Sequence, residues 1–484
     1  MAGFIRYEVK NGVEYGSYYI AKRYGKEKTN EVQYLGRVID KEKGVFRSRE
    51  RGDFTFTIED GIRRIRLPIQ EKLILDFGDS FLLEEAIRRS GFKKILENVF
   101  SELSDTMLSM LFYRVLCGGA SCYAKTFWEG SYTRILYPNA VLESQRISEF
   151  HRLIGEEEYH REFFNAYINH ILPEIGTGVL IDSTGLPNDI RLQVTAVNNH
   201  NGVISNESRL ILAVDRKSEL PLFFRYGAGN IVDVATLKNT LLELGLNGIN
   251  VEHAIVDAGY YSEANVTALF EANISFLLRL VPNRKIYKQI IAANVDTLEK
   301  SMNLIKYRDR LVYIKVIEQN FFGYKGYAYL CKDVDRGNDE IKKYMFGALD
   351  NNDIPHDEMD EEIKRKGLFV LISSDLLDIR ELLPLYYTRQ AVEQIFDFSK
   401  NNADLLPLRV HSEEAFRGHL LISFIASYLY MMVNKALNGT KFCADGAFRT
   451  MRNLKCKIYE SDLLVLEPTK KMNDILSHLN YQLP

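Results

Sequence analysis

The stretch YYTRQAVEQIFDFSK, residues 386 to 400, decides how the whole chain is read. Arg389, Glu393 and Lys400 follow Tyr386 by three, seven and fourteen positions. At about 100° per residue, these four side chains stay within about 60° of one another on a helix. Their polar tips then share one stripe, while Leu385, Val392 and Phe396 lie beside it and could bury. An ordinary amphipathic helix also sorts polar residues onto one face, so the stripe alone does not establish chemistry.

Two upstream segments supply what the stripe lacks. The apolar runs in TGVLIDSTG and HAIVDAGYY read as short strands that end in Asp182 and Asp257. Open α/β sheets expose functional groups at strand ends. A single such aspartate reads more readily as a turn residue or a helix cap. The pair together with Glu393 is more specific. Three carboxylates converging in a cleft cannot all stay ionised cheaply without cations. Two divalent metals about 3.5–4 Å apart would neutralise them and drive in-line phosphoryl transfer. Mg²⁺ suits an oxygen-only donor set, and Mn²⁺ could substitute.

With these residues in place, the chain resembles the DDE transposases of bacterial insertion sequences, in the group marked by Tyr-x2-Arg-x3-Glu-x6-Lys. Tyr386, Arg389, Glu393 and Lys400 match that signature without a gap. Asp257, Gly259 and Tyr260 match the group's Asp-x-Gly-Tyr/Phe motif, and IDSTGLP resembles its first-aspartate segment. GAGNIVDVATL resembles the Gly-Asn-x-x-Asp segment of many members, with Asp233 as its aspartate. The resemblance implies an α/β fold: a ribonuclease-H-like catalytic core with a β-rich insertion, preceded by a small β unit and a helical domain. By position, it implies that Asp182, Asp257 and Glu393 bind the catalytic metals. Tyr386, Arg389 and Lys400 would hold the phosphates of the transposon end. Their chemistry suits that task, since arginine offers a planar fork, lysine a point charge and tyrosine a phenol. Some relatives stack an insertion tryptophan on a flipped base. Here the only tryptophan is Trp128, so Phe321, Phe322 or Tyr324 would serve instead.

Pattern changes along the chain give the expected organisation. Residues 1–75 alternate apolar and polar and read as an N-terminal β-rich unit. Residues 76–175 show three-and-four spacing and read as a DNA-binding domain of roughly five helices. Residues 176–300 and 366–435 would form the catalytic core. Residues 301–365 are expected to be a separate β-rich insertion with an acidic helical segment, and 436–484 a C-terminal helical tail.

Bulk properties bound the rest. At 484 residues and 46% hydrophobic content, the chain is globular and multidomain. The N-terminus has no long apolar run and reads as lacking a signal peptide, while LLISFIASYLYMMV, 420 to 433, reads as a buried helix. Five scattered cysteines suit a reducing compartment, so a cytoplasmic protein is expected, and the resemblance implies a bacterial, nucleoid-associated one. The net charge of −3 hides segregation, since residues 1–70 carry fifteen basic and ten acidic side chains and residues 331–366 carry eleven acidic and seven basic. RSRERG and IRRIR in the first of these segments could touch phosphates or simply be solvated. The nine histidines form no metal-binding pattern, and His151 and His160 read as surface or capping residues.

The expected function is a Mg²⁺-dependent transposase that cuts insertion-sequence ends and joins the freed 3′-OH to target DNA. Its partners would be double-stranded DNA with terminal inverted repeats, target DNA and a second copy of itself in a DNA-bound homodimer, with no membrane. A catalytically inactive DNA-binding relative would keep the same fold. A two-carboxylate hydrolase such as a glycosidase would explain Asp182 and Asp257 but not Arg389 and Lys400.

Overall fold

The computed structural model describes residues 3–10, 12–24, 27–48, 52–58, 61–64, 69–190, 192–200, 203–230, 236–349, 355–403, 405–460 and 462–484. It divides into two compact units. The first comprises Met1–Phe77, Leu454–Pro468 and Leu483–Pro484, and the second Gly78–Asn453 and Thr469–Gln482.

The first unit opens as an antiparallel meander of β1 (Gly3–Lys10), β2 (Val13–Tyr24), β3 (Glu27–Asp40), β4 (Val45–Ser48), β5 (Gly52–Thr57) and β6 (Gly61–Arg64). Alternation puts Leu35, Phe46, Phe54 and Phe56 on one face, where Ile5, Tyr7, Tyr18 and Val38 pack against them. Phe46 and Phe54 face each other across β4 and β5, ring centroids 6.1 Å apart. β7 (Ile69–Asp76) follows and belongs to a different sheet.

The second unit begins with seven helices: α1 (Gly78–Arg89), α2 (Phe92–Phe100), α3 (Ser104–Leu116), α4 (Ala124–Gly130), α5 (Thr133–Leu136), α6 (Ser144–Ile154) and α7 (Glu157–Ile171). The short α4 and α5 lie in the segment between Cys117 and Pro138, which carries little helical periodicity. α3 is the centre of this group, buried continuously from Thr106 to Leu116.

The sheet of the second unit is built from β8 (Gly178–Pro187), β9 (Ala196–His200), β10 (Val203–Asp215), β11 (Pro221–Ala228), α8 (Leu237–Leu246), β12 (His253–Val256), α9 (Glu263–Glu271), β13 (Ser275–Arg279), α10 (Lys285–Asn294), β14 (Leu304–Tyr307), β15 (Arg310–Phe321), β16 (Tyr324–Asp333), α11 (Val334–Leu349), α12 (His356–Arg365) and β17 (Leu368–Ser373). Its strand order is β11-β10-β8-β12-β13-β17-β16-β15-β14, with β9 paired to β10. β8, β12 and β13 run parallel to one another, and the remaining pairs are antiparallel. β8 and β12 read as unbroken apolar runs because their central residues are buried on both faces.

The separate β-rich insertion expected over 301–365 is not what the structure contains. β16 pairs with β17 from Tyr327–Ser373 to Lys332–Leu368, so the 310–333 hairpin extends the large sheet. The physical reason lies in β17, all six residues of which are buried. A strand buried on both faces needs neighbours on both edges, and β13 supplies only one.

After β17 come α13 (Ile379–Tyr386), a 3-10 turn over Tyr387–Arg389, α14 (Gln390–Asn401), α15 (Glu413–Ala436) and α16 (Ala444–Arg452). α14 lies against β8 and β10, and α15 runs past α3, α6, α14 and β11. α15 is long and apolar enough to cross a membrane by length and composition, but 83% of its apolar window is buried inside the unit. It meets α6 at nearly backbone contact. A Cβ on Gly418 would lie 1.9 Å from the His151 carbonyl oxygen, and one on Gly155 would lie 1.7 Å from that of Glu414. His151 is therefore not a surface residue. It is 6% exposed, with its ring 5.8 Å from that of His419.

The tail is not wholly helical either. β18 (Lys455–Glu460) and β19 (Asp462–Val465) return to the first unit, where β18 pairs with β7. Only α17 (Lys470–His478) follows.

Candidate active site

The two candidate aspartates meet because of strand register. β12 runs parallel to β8 with Val256 opposite Ile181. The next residue in each segment is an aspartate, so Asp257 and Asp182 stand side by side. Asp257 directly follows β12, but the first strand does not end in Asp182 as expected, since β8 continues to Pro187. Asp182 is the more enclosed, with its side chain 15% exposed against 43% for Asp257.

Arg389 bridges them. Its Nη2 lies 2.8 Å from Asp182 Oδ2 and its Nη1 lies 3.1 Å from Asp257 Oδ1. Nη1 also donates to the Tyr386 hydroxyl at 3.1 Å. The 3-10 turn at Tyr387–Arg389 tightens the chain here, beside the middle of β8 and the end of β12. Asp182 Oδ1 accepts a further bond, 2.8 Å from the Ser183 amide.

The electrostatics follow from this enclosure. Burial pushes Asp182 above the ordinary carboxylate range, with Arg389 opposing the shift and the nearby Asp257 charge adding to it. Burial works against the charge on Arg389, but the Asp257 and Asp182 carboxylates outweigh it and hold the guanidinium firmly protonated. Tyr386 is raised by burial, so its phenol stays a neutral hydrogen-bonding group.

The lower half of the stripe splits. Lys400 is half-buried and its Nζ donates to Thr184 Oγ1 on β8. Burial lowers its pKa against the opposing influence of Glu207. Glu393 is exposed, one helical turn beyond Arg389. Among the described residues, no group of three or more His, Cys, Asp or Glu side chains is arranged to hold a metal ion. The structure thus brings Asp182, Asp257, Tyr386 and Arg389 together, joins Lys400 to the same strand, and leaves Glu393 outside the carboxylate pair. The pair itself has the right donor chemistry for a hard divalent cation, since both residues offer only oxygen. In this structure the Arg389 guanidinium is the cation that balances them.

Thr184 was not singled out from the sequence. The signal was there: two residues after Asp182 on a strand, it must share that residue's face. Ser183 faces the other way and accepts from Arg209 Nη1 at 3.0 Å. Other expectations resolve differently. Phe321 is 1% exposed and unavailable for stacking on a ligand, whereas Phe322 at the hairpin turn is 40% exposed. Tyr324 already stacks on Phe270, with centroids 4.8 Å apart. Trp128 donates Nε1–H to the Tyr137 carbonyl at 3.1 Å, a structural role. Arg47 of RSRERG pairs with Asp53. The rest of the arginines in that segment, most of IRRIR, and Asp233 lie outside the described residues or side chains.

Comparison with known proteins places the chain in a family. The family described as "Transposase DDE domain" matches residues 175–429, more than half of the chain, from β8 into α15, a span that carries the aspartates and the stripe. No curated protein matches the chain. Among solved structures, it is similar to a piggyBac transposase in a synaptic complex with hairpin DNA, at 10% identity over 77% of this chain and 69% of that one, with a TM-score of 0.35. A likeness at that score carries no argument about fold or function. The family match rests on this chain's own residues, and by it the chain belongs to the DDE transposases.

Proposed function

We propose that this transposase cleaves DNA at the ends of a bacterial insertion sequence and joins the freed 3′-OH to target DNA. The observation that carries the reading is the pairing of Asp182, in the middle of β8, and Asp257, just past the end of β12, across one buried guanidinium. Asp182 and Asp257, with Glu393, would hold Mg²⁺, or Mn²⁺ in its place. When bound, the metal would stabilise the attacking and leaving oxygens of an in-line displacement at phosphorus. Tyr386, Arg389 and Lys400 would bind and orient the phosphates of the transposon end. The phenol of Tyr386, which accepts from Arg389, would have its own proton to donate to a phosphate oxygen, and the Arg389 fork would fit two such oxygens.

A ribonuclease-H-like core is supported by the order β11-β10-β8-β12-β13, in which an antiparallel trio continues into two parallel strands. The DNA partners would be duplex ends with terminal inverted repeats and a target duplex, engaged by a homodimer at the nucleoid. Residues 76–175 would contribute to recognition of the ends.

The test is a gel-shift and a cleavage assay on the same end-sequence DNA, with Mg²⁺ and with EDTA. Wild type should cut only with the metal. Glu393→Gln should keep end binding and lose cleavage. A Glu393→Gln variant that cuts as well as wild type would make Glu393 a plain surface residue of α14. A second reading is favoured by the Arg389 bridge itself. If that bridge never opens, the chain is a DNA-binding relative without catalysis, and wild type would bind ends but leave them uncut.

A further inference from the structure

An open cleft of about 570 Å³ lies beside the catalytic helix, between the tip of the β14–β15 hairpin and the segment from Pro384 to Gln394. Tyr307 and Arg308 line it from the hairpin, and Tyr387, Thr388, Gln390 and Gln394 from the helix side. Its position follows from helix geometry. At about 100° per residue, Gln390 and Gln394 stand on the flank next to Arg389 and Glu393. The cleft therefore adjoins the stripe that ends at Asp182 and Asp257.

Stacked aromatic rings wall the cleft, and its exposed cation is placed at a cost. The Tyr307 and Tyr387 rings stack 5.3 Å apart at an interplanar angle of 12°. Arg310 lies over both rings, at 5.6 and 5.3 Å, and is tied to Asp333 at 2.9 Å. Arg308 is different. It is exposed and makes no ion pair among the described residues, though it lies 5.3 Å from the Tyr307 ring centroid, and it reaches across the cleft to Gln390 Oε1 at 3.3 Å. It also adopts a φ of 55° in a two-residue hairpin turn, where glycine or asparagine is the low-strain choice. A long cationic side chain held in a left-handed turn and aimed at the catalytic helix points to a task for the side chain. The neighbouring Gln390 and Gln394 amides are neutral donors, while the Thr388 hydroxyl donates to the Leu385 carbonyl at 2.7 Å. Glu219, exposed at the rim, is the one carboxylate among the lining residues.

We propose that this cleft is a phosphodiester-binding subsite, in which Arg308 holds a backbone phosphate of the DNA strand leading into the Asp182–Asp257 site and Gln390 and Gln394 add neutral hydrogen bonds. The proposal rests on the chain acting on DNA, and its test separates the two. Fluorescence anisotropy with a labelled duplex of arbitrary sequence, titrated over a range of salt, counts phosphate contacts directly. Wild type should show a steep dependence of log K on log [salt]. Arg308→Gly should bind several-fold more weakly at low salt, with a slope shallower by about 0.9 on the duplex, or about 0.7 if the subsite takes a single strand and a single-stranded probe is used. Arg308→Lys should restore the slope, and Gln390→Ala should weaken binding without changing it.

Arg308→Gly removes a strained backbone residue, so it should unfold no earlier than wild type on heating, which excludes misfolding as the cause. Wild-type binding with an unchanged slope in Arg308→Gly on both probes overturns the subsite alone. A wild-type protein that binds neither probe overturns both the subsite and the DNA-acting reading.

Discussion

Replacing Arg389 by Met should expose how the site is held together. The substitution keeps the length and packing of the side chain and removes its charge. Arg389 and Asp182 have side-chain exposures of 10% and 15%, so this half of the bridge behaves as a buried pair, whereas Asp257 at 43% is solvent-screened. Breaking a buried pair by removing one partner costs about 3–5 kcal/mol, and the exposed half adds about 0–1 kcal/mol. Asp182 retains the Ser183 amide bond, 2.8 Å long, which favours the low end of that range. A loss of about 3 kcal/mol at neutral pH is therefore expected.

The pH dependence has a definite sign. Burial already raises Asp182 in the folded state, and losing Arg389 raises it further. A carboxylate with a raised folded pKa penalises the fold above that pKa, and the penalty vanishes below the unfolded value of about 3.9. The deficit of Arg389→Met should thus be full at pH 7 and shrink as pH falls into the carboxylate range. Mg²⁺ should stabilise the variant more than wild type, because it binds the pair without first displacing a guanidinium. Urea denaturation followed by Trp128 fluorescence is the assay. Trp128 is the only tryptophan and lies in the second unit, so it reports on the unit that contains the site. A variant within about 0.5 kcal/mol of wild type at pH 7, the usual range of a surface substitution, would refute the reasoning, as would identical Mg²⁺ responses.

Three further outcomes are expected. Gly418→Ala should destabilise the second unit by about 2–4 kcal/mol in the same urea assay, because its Cβ would meet the His151 carbonyl at 1.9 Å and only backbone movement relieves that. Thr184→Val should cost about 1–3 kcal/mol, since it leaves the half-buried Lys400 ammonium without its acceptor. Burial lowers His160 from 6.5 to about 4, so it stays neutral in the fold while the unfolded chain takes up a proton. Stability should therefore fall by up to about 1.4 kcal/mol per pH unit from 6.5 downwards, and His160→Gln should flatten that slope in urea midpoints measured at pH 7 and pH 5.

What the sequence disclosed and what it hid divide along physical lines. Asp182 and Asp257 were legible because strands buried on both faces read as unbroken apolar runs, and a polar residue closing such a run stands out. Their side-by-side placement needed only parallel pairing of β8 and β12. The edge partner of the 310–333 hairpin was not legible. Alternation reports which face of a strand is buried and carries no information about which neighbour accepts its hydrogen bonds. β18 shows the same limit at longer range: Cys456 and Ile458 alternate inward, but the partner strand β7 lies 379 residues away between Lys455 and Asp76. The burial of His151 was hidden for a related reason, because it depends on Gly418 in a distant helix.

The stripe itself was legible as a face, but the partners of that face were not. In the structure each of its cationic tips is already engaged by β8 or β12: Arg389 by Asp182 and Asp257, and Lys400 by Thr184. Under the proposed function these same groups hold DNA phosphates, and one guanidinium cannot serve two carboxylates and a phosphate together. Divalent cations and DNA would then enter the site as a linked exchange, in which the metal takes over the aspartates and frees Arg389 for the backbone. Such linkage is reciprocal, so DNA should tighten metal binding by the factor by which metal tightens DNA binding. Manganese titrations of wild type with and without duplex would measure the first factor, and gel shifts with and without manganese the second. In Arg389→Met both factors should fall toward one. A coupling that survives intact in that variant would mean that Arg389 is not the group exchanged between carboxylates and phosphate.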